Sequence, residues 1–240
     1  MRFRTIGRAL LALAAAGFAI LAYVYLTLPD VRPLKTQNPT TTAFMALREQ
    51  EARDSGKPPR HVQRWVSYAR ISPDLKRAVL VAEDDAFWQH EGVDFEQLQE
   101  SIVKDWARRQ FARGGSTITQ QLAKNLYLSP SKNPLRKLRE WVIARRLEAE
   151  LKKARILELY LNVIEWGDGV YGIEAAARTY FGKPAAELGA AESALLAAAI
   201  VNPRRLNPAR PTAGLLRRQQ VILHRMGAII PPQESAQLER

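Results

Sequence analysis

Residues Arg113–Leu128 read R-G-G-S-T-I-T-Q-Q-L-A-K-N-L-Y-L, and the rest of the chain is arranged around them. Gly114 and Gly115 form a flexible turn, because glycine takes positive φ at little steric cost. Ser116 stands where a helix N-cap is expected, and Thr119, Gln120, Gln121 and Lys124 come next on the helix it opens. Free backbone N–H groups, hydroxyls, amides and an ammonium then share one helix start. That combination suits an anion, above all a phosphate or pyrophosphate. The same spacing also fits an ordinary loop-to-helix junction. It is not a Walker loop, since no Lys-Ser/Thr pair comes after the glycines.

Charge is distributed unevenly on either side of this stretch. Residues 78–103 hold no Lys or Arg but seven carboxylates, Glu83, Asp84, Asp85, Glu91, Asp94, Glu96 and Glu100. Residues 104–155 hold fourteen Lys and Arg against four acidic residues. An acidic block followed by a basic one suits a site that takes a proton at one end and holds a polyanion at the other.

At 240 residues the chain is long enough for one domain and an appendage, and a hydrophobic fraction of 47% is ample for a core. The formal charge of +12 points to nucleic acid, an anionic membrane face or a phosphorylated substrate. Without cysteine there is no disulfide, no thiolate metal site and no thiol nucleophile.

Ala9–Leu28 is twenty residues without a charge, enough to cross a bilayer as a helix. Arg2, Arg4 and Arg8 precede it and hold the amino end in the cytoplasm, while Arg32 and Lys35 make that bias modest. A cleaved signal peptide is the alternative, but the apolar run is long for one and no small-x-small site lies just past Leu28. The expected organisation is a cytoplasmic tail (1–8), a transmembrane helix (9–28), a proline-rich stalk (29–71), a folded domain (72–211) and a C-terminal helix with a tail (212–240). Outside the cytoplasm, nucleic acid is not an expected partner.

Within the domain, Ser72-Pro73-Asp74 opens a helix with Ser72 as cap and Pro73 in its first turn. Leu75, Val79, Leu80 and Ala82 form its buried stripe, which ends at Glu83-Asp84-Asp85. A carboxylate emerging from an apolar helix end is partly desolvated, and its pKa rises toward a value useful in a base. A solvated acidic cap is the plainer alternative, and a lone His90 is more often structural than catalytic. Phe95–Phe111 reads as a helix mixing Trp106 and Phe111 with basic residues, as at a membrane interface or on a solvated face. Asn133-Pro134 opens a helix in which Arg136 and Lys137 lie one turn from Glu140, a spacing that ordinary surface ion pairs share. Further helices are expected at 156–163, 172–180, 190–201 and 214–226, the second stopping at Gly182. No alternating strand and no repeat is found.

Taken together, these motifs resemble the peptidoglycan glycosyltransferases, in the form of the monofunctional biosynthetic transglycosylases. E-D-x-x-F-x-x-H-x-G is met by Glu83, Asp84, Phe87, His90 and Gly92. G-G-S-T-[IL]-T-Q-Q is Gly114–Gln121, with Lys124 three residues on. R-K-x-x-E is Arg136, Lys137 and Glu140. K-x-x-I-L-E-x-Y-L-N runs from Lys153 to Asn162. Order and spacing agree over residues 72–211, and four motifs in register are highly specific. A basic residue that the family places after the Lys falls at Lys132, which lacks the bidentate fork of an Arg.

The resemblance implies an all-α, lysozyme-like domain with a smaller membrane-associated lobe, preceded by one N-terminal transmembrane helix. It implies polymerisation of lipid II, with the growing strand on undecaprenyl pyrophosphate as donor. Glu83 becomes the general base and Glu140 the second carboxylate. Gly115, Ser116, Thr117, Gln120, Gln121, Lys124, Lys132, Arg136 and Lys137 become the substrate-binding set around the pyrophosphate. No residue is assigned as a metal ligand. A divalent cation, Mg or Mn, enters only through the resemblance, which has Glu140 acting either through such a cation or by orienting the basic residues. Lipid II, undecaprenyl-pyrophosphate-linked glycan, the membrane and other cell-wall synthesis proteins are the expected partners. The bacterial inner membrane, with the domain on the periplasmic side, is the expected location. No transpeptidase is expected, since S-x-x-K occurs without K-T-G. The competing readings are a lytic enzyme using Glu83 as general acid and a basic scaffold without catalysis.

Overall fold

The computed structural model describes residues 2–92, 115–128 and 134–227. Lys132, Gly114 and the helix expected at Phe95–Phe111 lie outside the described residues.

The described chain is mostly helical, as the periodicity predicts. It runs α1 (Arg2–Leu26), a 3-10 turn (Arg32–Lys35), α2 (Ala43–Asp54), β1 (Val62–Gln63), α3 (Pro73–Glu83), α4 (Ile118–Tyr127) and α5 (Pro134–Glu150). Then come α6 (Lys153–Val163), β2 (Glu165–Gly167), β3 (Val170–Tyr171), α7 (Ile173–Phe181), α8 (Ala190–Ala199) and α9 (Ala213–Met226). Two groups of helices pack around one core. α3 lies against α8 and α9, and α4 lies against α5 and α6. From Ser193 to Ala199 the mostly small side chains of α8 are buried, which lets α3 and α9 approach it closely.

Two helix starts differ from the sequence reading. Thr117, not Ser116, is the N-cap of α4, its hydroxyl accepting from Gln120 N at 3.2 Å. Ser72 stands at the start of α3, but its hydroxyl donates to Leu188 O at 2.6 Å instead of capping the helix. The strands carry no readable alternation because each is only two or three residues long. They form a sheet in the order β1-β3-β2, with Val62 paired in parallel to Val170.

The expected stalk is not one. Val31, Leu34, Met45 and Val66 belong to the same buried core as α3, α4 and α6. The guanidinium of Arg155 donates to Leu34 O (2.8 Å), Gln37 O (2.9 Å) and Asn38 Oδ1 (2.8 Å). Asn162 accepts from Val66 N and donates to Val66 O, both at 2.9 Å. Prolines thin the regular structure of this segment, and side chains on α6 satisfy the backbone groups left over. At the end of α1, Val24 is buried, Arg146 lies 5.1 Å over the Tyr25 ring and Arg139 donates to Thr27 O at 2.9 Å. Among the described residues no helix is long and apolar enough to cross a membrane.

Candidate active site

Glu83 is the last residue of α3, at the end of a stripe in which Leu75, Val79 and Leu80 are buried. The chain then turns sharply at Asp84, and that buried carboxylate organises the loop beyond it. It accepts from Ile118 N, the first residue of α4, at 2.8 Å and pairs with His90 Nε2 at 2.9 Å. Gly92 N donates to His90 Nδ1 at 3.1 Å, so a neutral imidazole carries its proton on Nε2 and gives it to Asp84. Thr117 donates to Gly92 O at 2.7 Å and closes the loop. A negative charge at the start of α4 is also favoured by the helix dipole. Gly92 has φ +87°, and a Cβ there would lie 3.1 Å from Glu148 Cγ and 3.3 Å from Ala144 O. The position therefore requires glycine on both grounds.

This lacing sets the end of α3 against the first turn of α4. Gln121 Nε2 donates to Glu83 Oε2 at 2.9 Å, and Tyr160 on α6 donates its hydroxyl to Gln121 Oε1 at 3.0 Å. Burial pushes the Glu83 carboxyl above its ordinary value, opposed by the Gln121 hydrogen bond and the charges of Arg218 and Lys124. Asp84 adds a smaller upward push.

Lys124 lies three residues after Gln121, on the same side of α4. Burial lowers its pKa, and among its charged neighbours Glu140 and Glu83 hold it up while Arg136 and Lys137 push it down. On α5, Glu140 is buried between two cations. Arg136 donates to its Oε2 at 2.8 Å, and Lys137 Nζ contacts its Oε1. Lys137 also donates to Ser116 Oγ at 3.2 Å. One cluster thus joins the loop before α4, the middle of α4 and the start of α5.

The structure brings together Glu83, Gln121, Lys124, Arg136, Lys137, Glu140 and Ser116. Thr117 and Gln120 are each 2% exposed. The Thr117 hydroxyl is taken up by its cap and by Gly92 O, and Gln120 Oε1 is buried without a partner among the described residues. Gly115 is half-buried in the loop leading to α4. Three participants are not found by sequence reasoning. Tyr160 carries a polar hydroxyl on the buried side of α6, between Leu159 and Leu161, and that is the signal that could have found it. Asp84 reads as a mere neighbour of Glu83 until its partners are seen. Arg218, on α9, has no local signal at all.

A divalent cation does not fit these side chains as they stand. Both Glu140 oxygens are engaged by cations, and the described residues hold no group of three acidic or histidine side chains that could ligate a metal.

A family model described as Transglycosylase matches residues 51–227. The biosynthetic peptidoglycan transglycosylase of Laribacter hongkongensis (strain HLHK9) is 47% identical over 198 residues, covering 82% of this chain and 87% of that protein. The protein of the same name from Nitrosomonas eutropha (strain DSM 101675 / C91 / Nm57) is 49% identical over 192 residues, covering 80% and 79%. That from Aromatoleum aromaticum (strain DSM 19018 / LMG 30748 / EbN1) is 52% identical over 170 residues, covering 70% and 73%.

Proposed function

The chain belongs to the transglycosylase family, and from that premise we propose that it polymerises lipid II into the glycan strands of peptidoglycan. It is an enzyme, a peptidoglycan glycosyltransferase. The donor is the growing strand on undecaprenyl pyrophosphate, and the acceptor is the 4-hydroxyl of an incoming lipid II. Glu83 takes the hydroxyl proton as the oxygen forms its bond to C1 of the donor. The bond from C1 to the pyrophosphate oxygen breaks with inversion, and its electron pair leaves with undecaprenyl pyrophosphate. Lys124, Arg136 and Lys137 hold that departing anion, where fixed positive charge in a partly desolvated site counts for most. Glu140 keeps Arg136 and Lys137 in place. Ser116 and Gly115 line the approach to them, and Lys132 supplies a further positive charge.

The observation that carries this reading is the electrostatic position of Lys124. It is half-buried, and its charged neighbours include both Glu83 and the Arg136–Lys137–Glu140 group. A proton acceptor and an anion holder within reach of one lysine suit glycosyl transfer from a pyrophosphate. A lytic enzyme has no pyrophosphate to hold.

Membrane attachment belongs to the same proposal. α1 exposes Leu10, Leu11, Leu13, Phe18, Ile20, Leu21 and Leu26, an apolar surface far larger than soluble proteins leave in water. Placed in the bacterial inner membrane with Arg2, Arg4 and Arg8 on the cytoplasmic side, α1 puts the catalytic domain on the periplasmic side, beside its lipid-linked substrates. The test is to incubate the full-length protein with purified lipid II and size the product. Long glycan from wild type and none from Glu83→Gln is the expected result. Solubilisation of finished sacculi that vanishes in Glu83→Gln would instead establish a lytic enzyme.

A further inference from the structure

Lys153 opens the motif K-x-x-I-L-E-x-Y-L-N and is the first residue of α6, yet neither the proton transfer nor the pyrophosphate set uses it. Its Nζ lies 2.8 Å from Glu148 Oε1 near the end of α5, and the two side chains are only 16% and 8% exposed. The same Glu148 oxygen accepts from the Thr119 hydroxyl, in the first turn of α4, at 2.6 Å. The ammonium also stands 4.4 Å from the centre of the Phe87 ring, a cation–π distance. Phe87 is fully buried in the loop that follows α3. Four elements thus meet at one buried ion pair.

Stability is a poor account of a charge in this place. Burial opposes it and lowers the Lys153 pKa, against the pull of the three carboxylates that face it, Glu148, Asp84 and Glu91. The dipole of α6 opposes it too, because the positive end is the N-terminus and the first turn holds no acidic residue. Buried ion pairs return little net stability, and apolar side chains of similar size often hold such a place as well or better. An apolar contact, however, fixes no direction. An ammonium and a hydroxyl that share one carboxylate oxygen do. The two ends of the cluster fall on either side of the base. Phe87 comes four residues after Glu83, and Thr119 two residues before Gln121.

We propose that Lys153, acting with Glu148 and Thr119, is a positioning residue for Glu83: the ion pair sets the Phe87 loop against the first turn of α4 and so fixes the separation of Glu83 from Gln121. Resting on the reading of Glu83 as the general base, its effect on the reaction passes through the Gln121 hydrogen bond, which favours the ionised carboxylate. Lys124, Arg218 and Asp84 are the charges that bear on Glu83, and they stay in place when the pin is cut.

The test uses the full-length protein in detergent. Lys153→Met and Thr119→Val are measured for Tm, for kcat and KM with lipid II, and for titration of the Glu83 carboxyl carbon by NMR, its signal identified by loss in Glu83→Gln. Thr119→Val changes no charge and leaves the ion pair in place, so a shift it causes is one of geometry, and it serves where Lys153→Met does not fold. Both variants should lower kcat by roughly three- to tenfold, the scale of one hydrogen bond, with KM little changed. Both should move the Glu83 titration upward. In a Gln121→Leu background Thr119→Val should move it no further, because the bond it acts through is gone. An unmoved titration in Thr119→Val, the same shift with and without Gln121, or a lower Tm with kcat and titration as in wild type overturns the proposal. The titration needs no substrate. A shift in a protein that makes no glycan counts for this positioning and against the catalytic reading, and glycan synthesis without a shift counts against the positioning alone.

Discussion

Tyr160 donates its hydroxyl to Gln121 Oε1 at 3.0 Å, and this decides which end of the Gln121 amide faces Glu83. A phenol hydrogen bonded to the carbonyl oxygen leaves the NH2 group to the carboxylate, 2.9 Å away. Tyr160 itself is buried.

Tyr160→Phe should therefore leave the Gln121 amide held from one end only, and its hydrogen bond to Glu83 weaker. The expected outcome is a several-fold fall in kcat with KM for lipid II little changed, the scale of one hydrogen bond of about 0.5–1.5 kcal/mol. A pH profile separates this from a general loosening. The acid limb of kcat/KM should move up in Tyr160→Phe, because a carboxylate with a weaker donor is harder to ionise.

Glu83→Gln should reduce polymerisation by at least about a hundredfold, the usual scale for loss of a general base. In wild type the acid limb should fall above the ordinary carboxylate range, since burial raises this group. By linkage, a raised folded pKa favours folding at low pH, and that contribution is lost as pH rises through the folded value. Near neutrality Glu83→Gln should accordingly melt above wild type, with the gap closing as the pH falls toward the ordinary carboxylate value. Thermal melts across that range check it, and a variant that melts lower at every pH would contradict the buried-base assignment.

Lys124→Met keeps volume and removes charge. A charge-assisted contact to pyrophosphate of about 1.5–3 kcal/mol implies a fall in turnover of roughly one to two orders of magnitude. Stability should hold or rise, because burial already opposes this charge. In wild type, activity should decline as pH rises through a value below the ordinary lysine pKa of 10.5. Wild-type turnover in Lys124→Met would remove this residue from the site.

Arg155→Ala should destabilise the fold by about 2–4 kcal/mol, since it strands two carbonyls and a carboxylate that the guanidinium now serves. Limited proteolysis should cut first within 29–60. Arg155→Lys should rescue little of this, because an ammonium cannot span the fork. Chemical melts and cleavage-site mapping provide the measurement.

The α3 helix and the position of Glu83 are legible in the sequence because both are local. An apolar stripe with Pro73 in its first turn defines the helix, and the acidic run marks where it stops. The ion pairs of Glu140 are equally local, lying one turn apart on α5. The cap of α4 reads one residue early because Ser116 and Thr117 both suit the role. Which one takes it depends on Thr117 also reaching Gly92 O, a contact across a loop. Residues 29–71 read as a stalk for a stronger reason. Their partners Arg155 and Asn162 lie about a hundred residues further along, and a hydrogen bond to backbone leaves no pattern in the residue it serves. Arg218 acts on Glu83 across an equally long separation, from a helix with no motif.

The fastening of Leu34, Gln37 and Asn38 to Arg155 has a mechanical consequence. A loose tether would let the domain sway and would absorb any pull from α1 as slack. Here the run from Thr27, held by Arg139, to Val66, held by Asn162, is pinned at intervals to α5 and α6. Load on α1 passes straight into the helices that carry Lys137, Glu140 and Tyr160. The helices bearing the Glu140 cluster and Tyr160 are thus coupled to α1 by a short series of hydrogen bonds, as a tool head is to its shank.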